Sequence, residues 1–86
     1  MAKTVAEAKM EMFFRVWFDD DKKKLTADKI TDACRNYQAK IGKPANVCLV
    51  NIADIEEPQE IHVDGELVNV RVAANVNRWN YFAGNE

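Results

Sequence analysis

Leu25-Thr26-Ala27-Asp28-Lys29-Ile30-Thr31-Asp32-Ala33-Cys34-Arg35-Asn36-Tyr37-Gln38-Ala39-Lys40-Ile41-Gly42-Lys43-Pro44 is the stretch on which the fold class turns. Ile30, Ala33, Cys34, Tyr37 and Ile41 recur at helical spacing, while Asp28, Lys29, Asp32, Arg35, Asn36 and Lys40 fill the opposite side. Thr26 can serve as N-cap with Leu25 packing on Ile30 as a hydrophobic staple, and Gly42 followed by Pro44 ends the run. The pattern predicts one helix over residues 27–41 with a single apolar stripe. Such a stripe needs a second layer to lie on.

Both flanks supply strands. Upstream, Met10, Met12, Phe14, Val16 and Phe18 alternate with Glu11, Phe13, Arg15 and Trp17, which predicts a strand over residues 10–18. Its wholly apolar alternation is assigned to the core, leaving Phe13 and Trp17 with two charges on the other face. Asp19-Asp20-Asp21-Lys22-Lys23-Lys24 then reads as a solvated loop, because no core accepts six charges in a row.

Downstream, Val47-Cys48-Leu49-Val50-Asn51-Ile52 is an apolar run bounded by Pro44 and a polar stretch, which predicts an interior strand over residues 46–52. The Asp64-Gly65 pair between two alternating segments predicts a hairpin of residues 60–63 and 66–73. A two-residue type I′ turn there pairs Ile61 with Val68 and His62 with Leu67. Val63, Val70 and Val72 then share the core face, and His62, Leu67, Asn69 and Arg71 the other. After a turn at Asn75-Val76-Asn77 comes a strand over residues 78–82, with Gly84-Asn85-Glu86 as a loose end. Residues 1–9 read as an arm or a short helix. The expected fold is therefore α+β, a single domain over residues 1–86. One main helix packs on a four- to five-stranded mixed or antiparallel sheet, in the order β-α-β-β-β-β.

Eighty-six residues, 48% apolar and 30% charged, make a globular composition. A net charge of -2 gives no broad positive field for a phosphate backbone or an anionic bilayer, which argues against nucleic acid as a partner. No apolar run approaches the ~18 residues of a membrane helix, and the N-terminus is too polar for a signal peptide. The expectation is a cytoplasmic protein with no membrane partner. Cys34 and Cys48 both lie in apolar patterns, as buried free thiols of a reducing compartment do.

Chemistry-bearing patterns are scarce. Cys34, Cys48 and His62 stand 14 residues apart in turn, with no short chelating pair for a metal. An EF-hand loop starting at Asp19 would need Gly where Lys24 stands and Glu where Ile30 stands. His62 is the lone histidine, placed in a hairpin strand, and the three glycines at 42, 65 and 84 are too scattered for a phosphate loop. The chain is expected to be non-enzymatic, with no cofactor and no metal.

What remains is a mismatch of dimensions. A helix is about 10 Å wide, whereas four or five strands span about 19 to 24 Å, so one helix covers about half of one face. The opposite face is expected to carry Phe13, Arg15 and Trp17 from the first strand, His62, Leu67 and Arg71 from the hairpin, and Trp79 from the last strand. The chain itself, a second copy, or a ligand such as single-stranded nucleic acid or a small molecule are the physically distinct covers. Self-association as a homodimer, through these aromatics or through sheet edges, is the favoured reading.

Overall fold

Residues 14–86 are described by a computed structural model, and they form β1 (Phe14–Phe18), α1 (Thr26–Ile41), β2 (Val47–Val50), β3 (Gln59–Val63), β4 (Glu66–Val72) and β5 (Asn80–Gly84). The expectations for residues 1–9, and for residues 10–13 of the first strand, lie outside the described residues. The strands hydrogen-bond in the order β1-β5-β2-β4-β3. Because β5 is antiparallel to both β1 and β2, those two run the same way, and β4 is parallel to β2. Three strands thus point in one direction, and α1 carries the chain from β1 to β2 across the slot that β5 fills. One helix on a five-stranded mixed sheet is the α+β fold that the sequence pattern requires.

The hairpin adopts the register that its turn dictates. Asp64 and Gly65 both take positive φ, 52° and 87°, as a type I′ turn demands. Ile61 pairs with Val68 and His62 with Leu67. Val63 and Val70 are buried as expected, Val72 packs partly buried against the core, and Val68 on the same face is buried with them. Val63, Val68 and Val70 join Ile30, Ala33, Cys34 and Tyr37 of α1, Cys48 and Val50 of β2, and Tyr81 and Ala83 of β5 in one core. Arg35 of α1 grips the hairpin turn with a bidentate ion pair to Asp64, at 3.1 and 2.8 Å.

The helix ends as predicted but starts differently. Gly42, at φ 89°, donates its N–H to the Gln38 carbonyl and closes the last turn. At the other end Leu25 is the N-cap with no side-chain cap, and it is exposed, so the expected staple on Ile30 does not form. Thr26 is instead the first helical residue, its hydroxyl donating to the Asp54 carbonyl at 3.4 Å. That contact ties the helix start to the β2–β3 loop rather than to its own backbone. The stripe also turns slightly: Lys29 is buried where solvent was expected, and Ile41 is 41% exposed where core was expected.

In β1 the two faces are interchanged relative to the expectation. Val16 and Phe18 are exposed, whereas Trp17 packs against the core on the helix side. The cause lies in the partner strand: Trp17 is opposite Tyr81 and Arg15 is opposite Ala83, both core residues of β5, and directly opposed residues share a face. β1 sits at the sheet margin, and from it Trp17 packs back against the core beside α1.

The last strand begins two residues later than expected and extends to Gly84, into the segment expected to be a loose end. Gly84 is buried and pairs with both Phe14 and Val47. A Cβ at Gly84 would lie 2.7 Å from Phe14 Cδ2, so the aromatic ring occupies the space that glycine leaves open. The delayed start follows from residues 77–79, where the Asn80 N–H bonds the Asn77 carbonyl and Trp79 takes φ 72°.

Candidate functional site

Two surfaces stand out, one on the sheet and one at its end. On the face away from α1, Val16, Phe82, Leu49 and Arg71 form a row across β1, β5, β2 and β4, with Phe14, Gly84, Val47 and Asn69 as the next row. Val16 is 52% exposed and Phe18 61% exposed at the β1 margin, and Leu67 is 43% exposed at the far side. Arg71 is held by a bidentate ion pair with Glu86 at 2.7 and 2.8 Å. The face is apolar towards β1 and polar towards β3, where His62, Glu60 and Asn69 lie.

The residues expected to form one aromatic and arginine face are therefore not assembled. Phe13 lies outside the described residues. Trp17 and Arg15 sit on the helix side, His62, Leu67 and Arg71 on the opposite side, and Trp79 in the loop before β5. The stacking platform of Trp17 with Arg15 and Arg71 does not exist, because Trp17 and Arg71 are on opposite faces of the sheet. The apolar face that does exist is built from the other alternation of β1.

The second surface arises where three loops meet. The carboxyl ends of β1, β2 and β4, the start of β5 and the first turn of α1 converge, as the common direction of those three strands requires. Between them lies a cavity of about 440 Å³, lined by Lys22, Lys24, Lys29 and Arg78 together with Thr26, Asp54 and Trp79. Asp54, with a side chain only 4% exposed, accepts the Trp79 N–H at 3.1 Å and Arg78 Nε at 3.4 Å. A tryptophan with positive φ is strained by about 1 to 2 kcal/mol, and these contacts from a buried carboxylate hold it there. The Arg78 guanidinium lies 4.1 Å and Lys29 Nζ 4.7 Å from the Trp79 ring centroid.

No protein-family model, curated protein or solved structure matches the chain. Its chemistry is read from its own residues. Among the described residues no group of three His, Cys, Asp or Glu side chains is placed to hold a metal ion, and no helix is long and apolar enough to cross a membrane. Cys34 and Cys48 are free and buried, facing each other between α1 and β2. The contact with Cys34, together with burial, pushes the Cys48 thiol well up, which keeps it protonated and unreactive at neutral pH.

Sequence reasoning passed over Lys29, Asp54 and the cavity as a whole. Lys29 sits at the flank of the helical stripe, where a lysine reads as solvent-facing, and Asp54 lies in a polar connection. The one local signal was Trp79 between Arg78 and Asn80, in a segment with too few apolar neighbours to shelter it.

Beneath the cavity, Tyr81 and Trp17 present an energetic conflict. The Tyr81 hydroxyl and Trp17 Nε1 are buried with no hydrogen-bond partner, on residues directly opposed across β5 and β1. Burial first, and then the Asp54 and Asp19 carboxylates, push the Tyr81 phenol far above the usual tyrosine range. Since the folded state holds that proton more tightly, the contribution is intact below the ordinary tyrosine value of about 10 and is lost as pH rises beyond it. Tyr81→Phe is expected to leave stability below pH ~9 unchanged or up to about 1 kcal/mol higher, and to weaken the alkaline fall-off. Urea unfolding of both proteins across pH 7 to about 11 measures the difference. A loss above ~1 kcal/mol at neutral pH would mean that the hydroxyl has a partner.

Proposed function

We propose that the protein is a homodimeric interaction module that associates through the apolar side of β1. The observation that carries this reading is the exposure of Val16 and Phe18, side by side on the face of a marginal strand away from α1 and in register with the partly exposed Phe82 and Leu49. The two margins of the sheet differ in a way that points to this one. β3 is preceded by Glu56, Glu57 and Pro58 and carries Glu60, the charges and proline that blunt an edge against pairing. β1 carries Arg15 alone among its described charges and has no proline.

Antiparallel pairing of two β1 strands about a two-fold axis near Val16 sets Phe14 of one copy opposite Phe18 of the other and extends the apolar face across both. Each half-exposed apolar side chain that becomes covered contributes about 1 kcal/mol, and each new edge hydrogen bond about 1 kcal/mol, before the entropy of association is subtracted. Micromolar rather than nanomolar association is the expectation. Sedimentation across a dilution series through the tens of micromolar is expected to show a dimer that dissociates. Phe18→Glu should shift the midpoint at least tenfold upwards without unfolding the chain. A 9.8 kDa monomer at every concentration would refute the proposal.

A further inference from the structure

The cavity at the carboxyl ends of β1, β2 and β4 invites a ligand that the sheet face away from α1 does not. Its charges divide into two kinds. Lys24 is occupied by Asp32 and, at 3.6 Å, by Asp19, and Arg78 is occupied by Asp54. Lys22 and Lys29 make no ion pair among the described residues. Lys29 is the more telling of the two: the residue is only 3% exposed, yet it lines the cavity, and its ammonium meets the Trp79 ring rather than a carboxylate. Its stem is packed away while its ammonium stands at the cavity wall with no carboxylate partner among the described residues, an arrangement that a bound anion would complete.

The backbone adds to this. Thr26 also lines the cavity as the first residue of α1, and the N–H groups of Thr26 and Ala27 have no acceptor within the helix. Leu25 contributes no side-chain cap, and its carbonyl is taken by the Asp28 and Lys29 N–H groups at 3.0 and 3.1 Å. N–H groups without a helical acceptor at the positive end of a helix, beside two lysines that make no ion pair among the described residues, suit a tetrahedral oxyanion. The volume of about 440 Å³ exceeds a lone phosphate, and the Trp79 ring supplies a flat wall for an organic part.

We infer that this cavity binds a phosphate group carried on a small organic molecule, with Lys29, Lys22 and the first turn of α1 holding the phosphate and Trp79 packing on the rest. Adenosine monophosphate, inorganic phosphate and adenosine are the probes. Calorimetry and tryptophan emission are expected to show saturable binding of the monophosphate, weaker binding of inorganic phosphate that competes with it, and none of adenosine. Affinity should fall as salt rises. Lys22→Gln, at an exposed loop position, and Lys29→Met, which keeps the buried stem, should each weaken the monophosphate about tenfold or more. Trp79→Phe should abolish the emission change while calorimetric binding persists, which separates Trp79 from Trp17 as the reporter. Adenosine binding as well as its monophosphate, inorganic phosphate binding alone, no saturable binding of any probe, or unchanged affinity in Lys22→Gln would overturn the assignment. None of these outcomes depends on whether the protein dimerises.

Discussion

Ile30→Ala is expected to lower the stability of the protein by about 2 to 5 kcal/mol. Ile30 is 1% exposed and belongs to the cluster that joins α1 to β2, β4 and β5. Removing three carbons there forfeits their burial and leaves a hole between two layers that each have rigid backbones. An 86-residue chain has roughly 4 to 13 kcal/mol to lose, so the substitution removes a large share of the total. Each kcal/mol corresponds to about 4 to 8 °C in a domain of this size, and thermal unfolding followed by circular dichroism reads it directly. Ile41→Ala is the matched control: same residue type, same helical stripe, but exposed, with an expected change below about 1 kcal/mol. Equal effects at the two positions would mean that α1 is not seated on the sheet as described.

Trp17→Ala is expected to destabilise the monomer by about 2 to 3 kcal/mol, and Phe18→Ser by less than about 1 kcal/mol. These neighbours occupy opposite faces of β1. Trp17 packs against the core, and although its truncation also removes a buried Nε1 without a partner, the lost ring contacts outweigh that relief. Phe18 is mostly in solvent, so its replacement should register in sedimentation rather than in urea unfolding. The reverse ranking would restore the opposite assignment of faces and remove the surface on which the dimer proposal rests.

That pair of residues also marks the limit of what the sequence could disclose. The helix stop at Gly42 and the hairpin register at Asp64-Gly65 were legible because each depends on backbone conformations that few residues tolerate. The faces of β1 were not, since both alternations carry large apolar groups and a period of two does not say which one meets the core. The deciding factor is the neighbour, β5, whose insertion between β1 and β2 no local pattern announces. The apolar side chains of β1 and β5 on the face away from α1 include Val16, Phe18 and Phe82, where Trp17 was expected. The cavity was invisible for a different reason. It is assembled from Lys22, Lys29, Asp54 and Trp79, residues far apart in the chain that meet only because three strands end at the same level.

The insertion of β5 has a consequence for how the protein is made. The last strand in chain order fills the second place in the sheet, so β1 and β2 lack their shared neighbour until residues 80–84 have left the ribosome. A nascent chain can form α1 and the tight hairpin, both local in sequence, while the strand carrying Val16 and Phe18 waits without a partner. Pairings that close such long loops are slow, and the interval exposes sticky surface to other chains. Any truncation before Asn80 would not trim the sheet but split it in two, and such a product is expected to accumulate as aggregate rather than as a shortened fold.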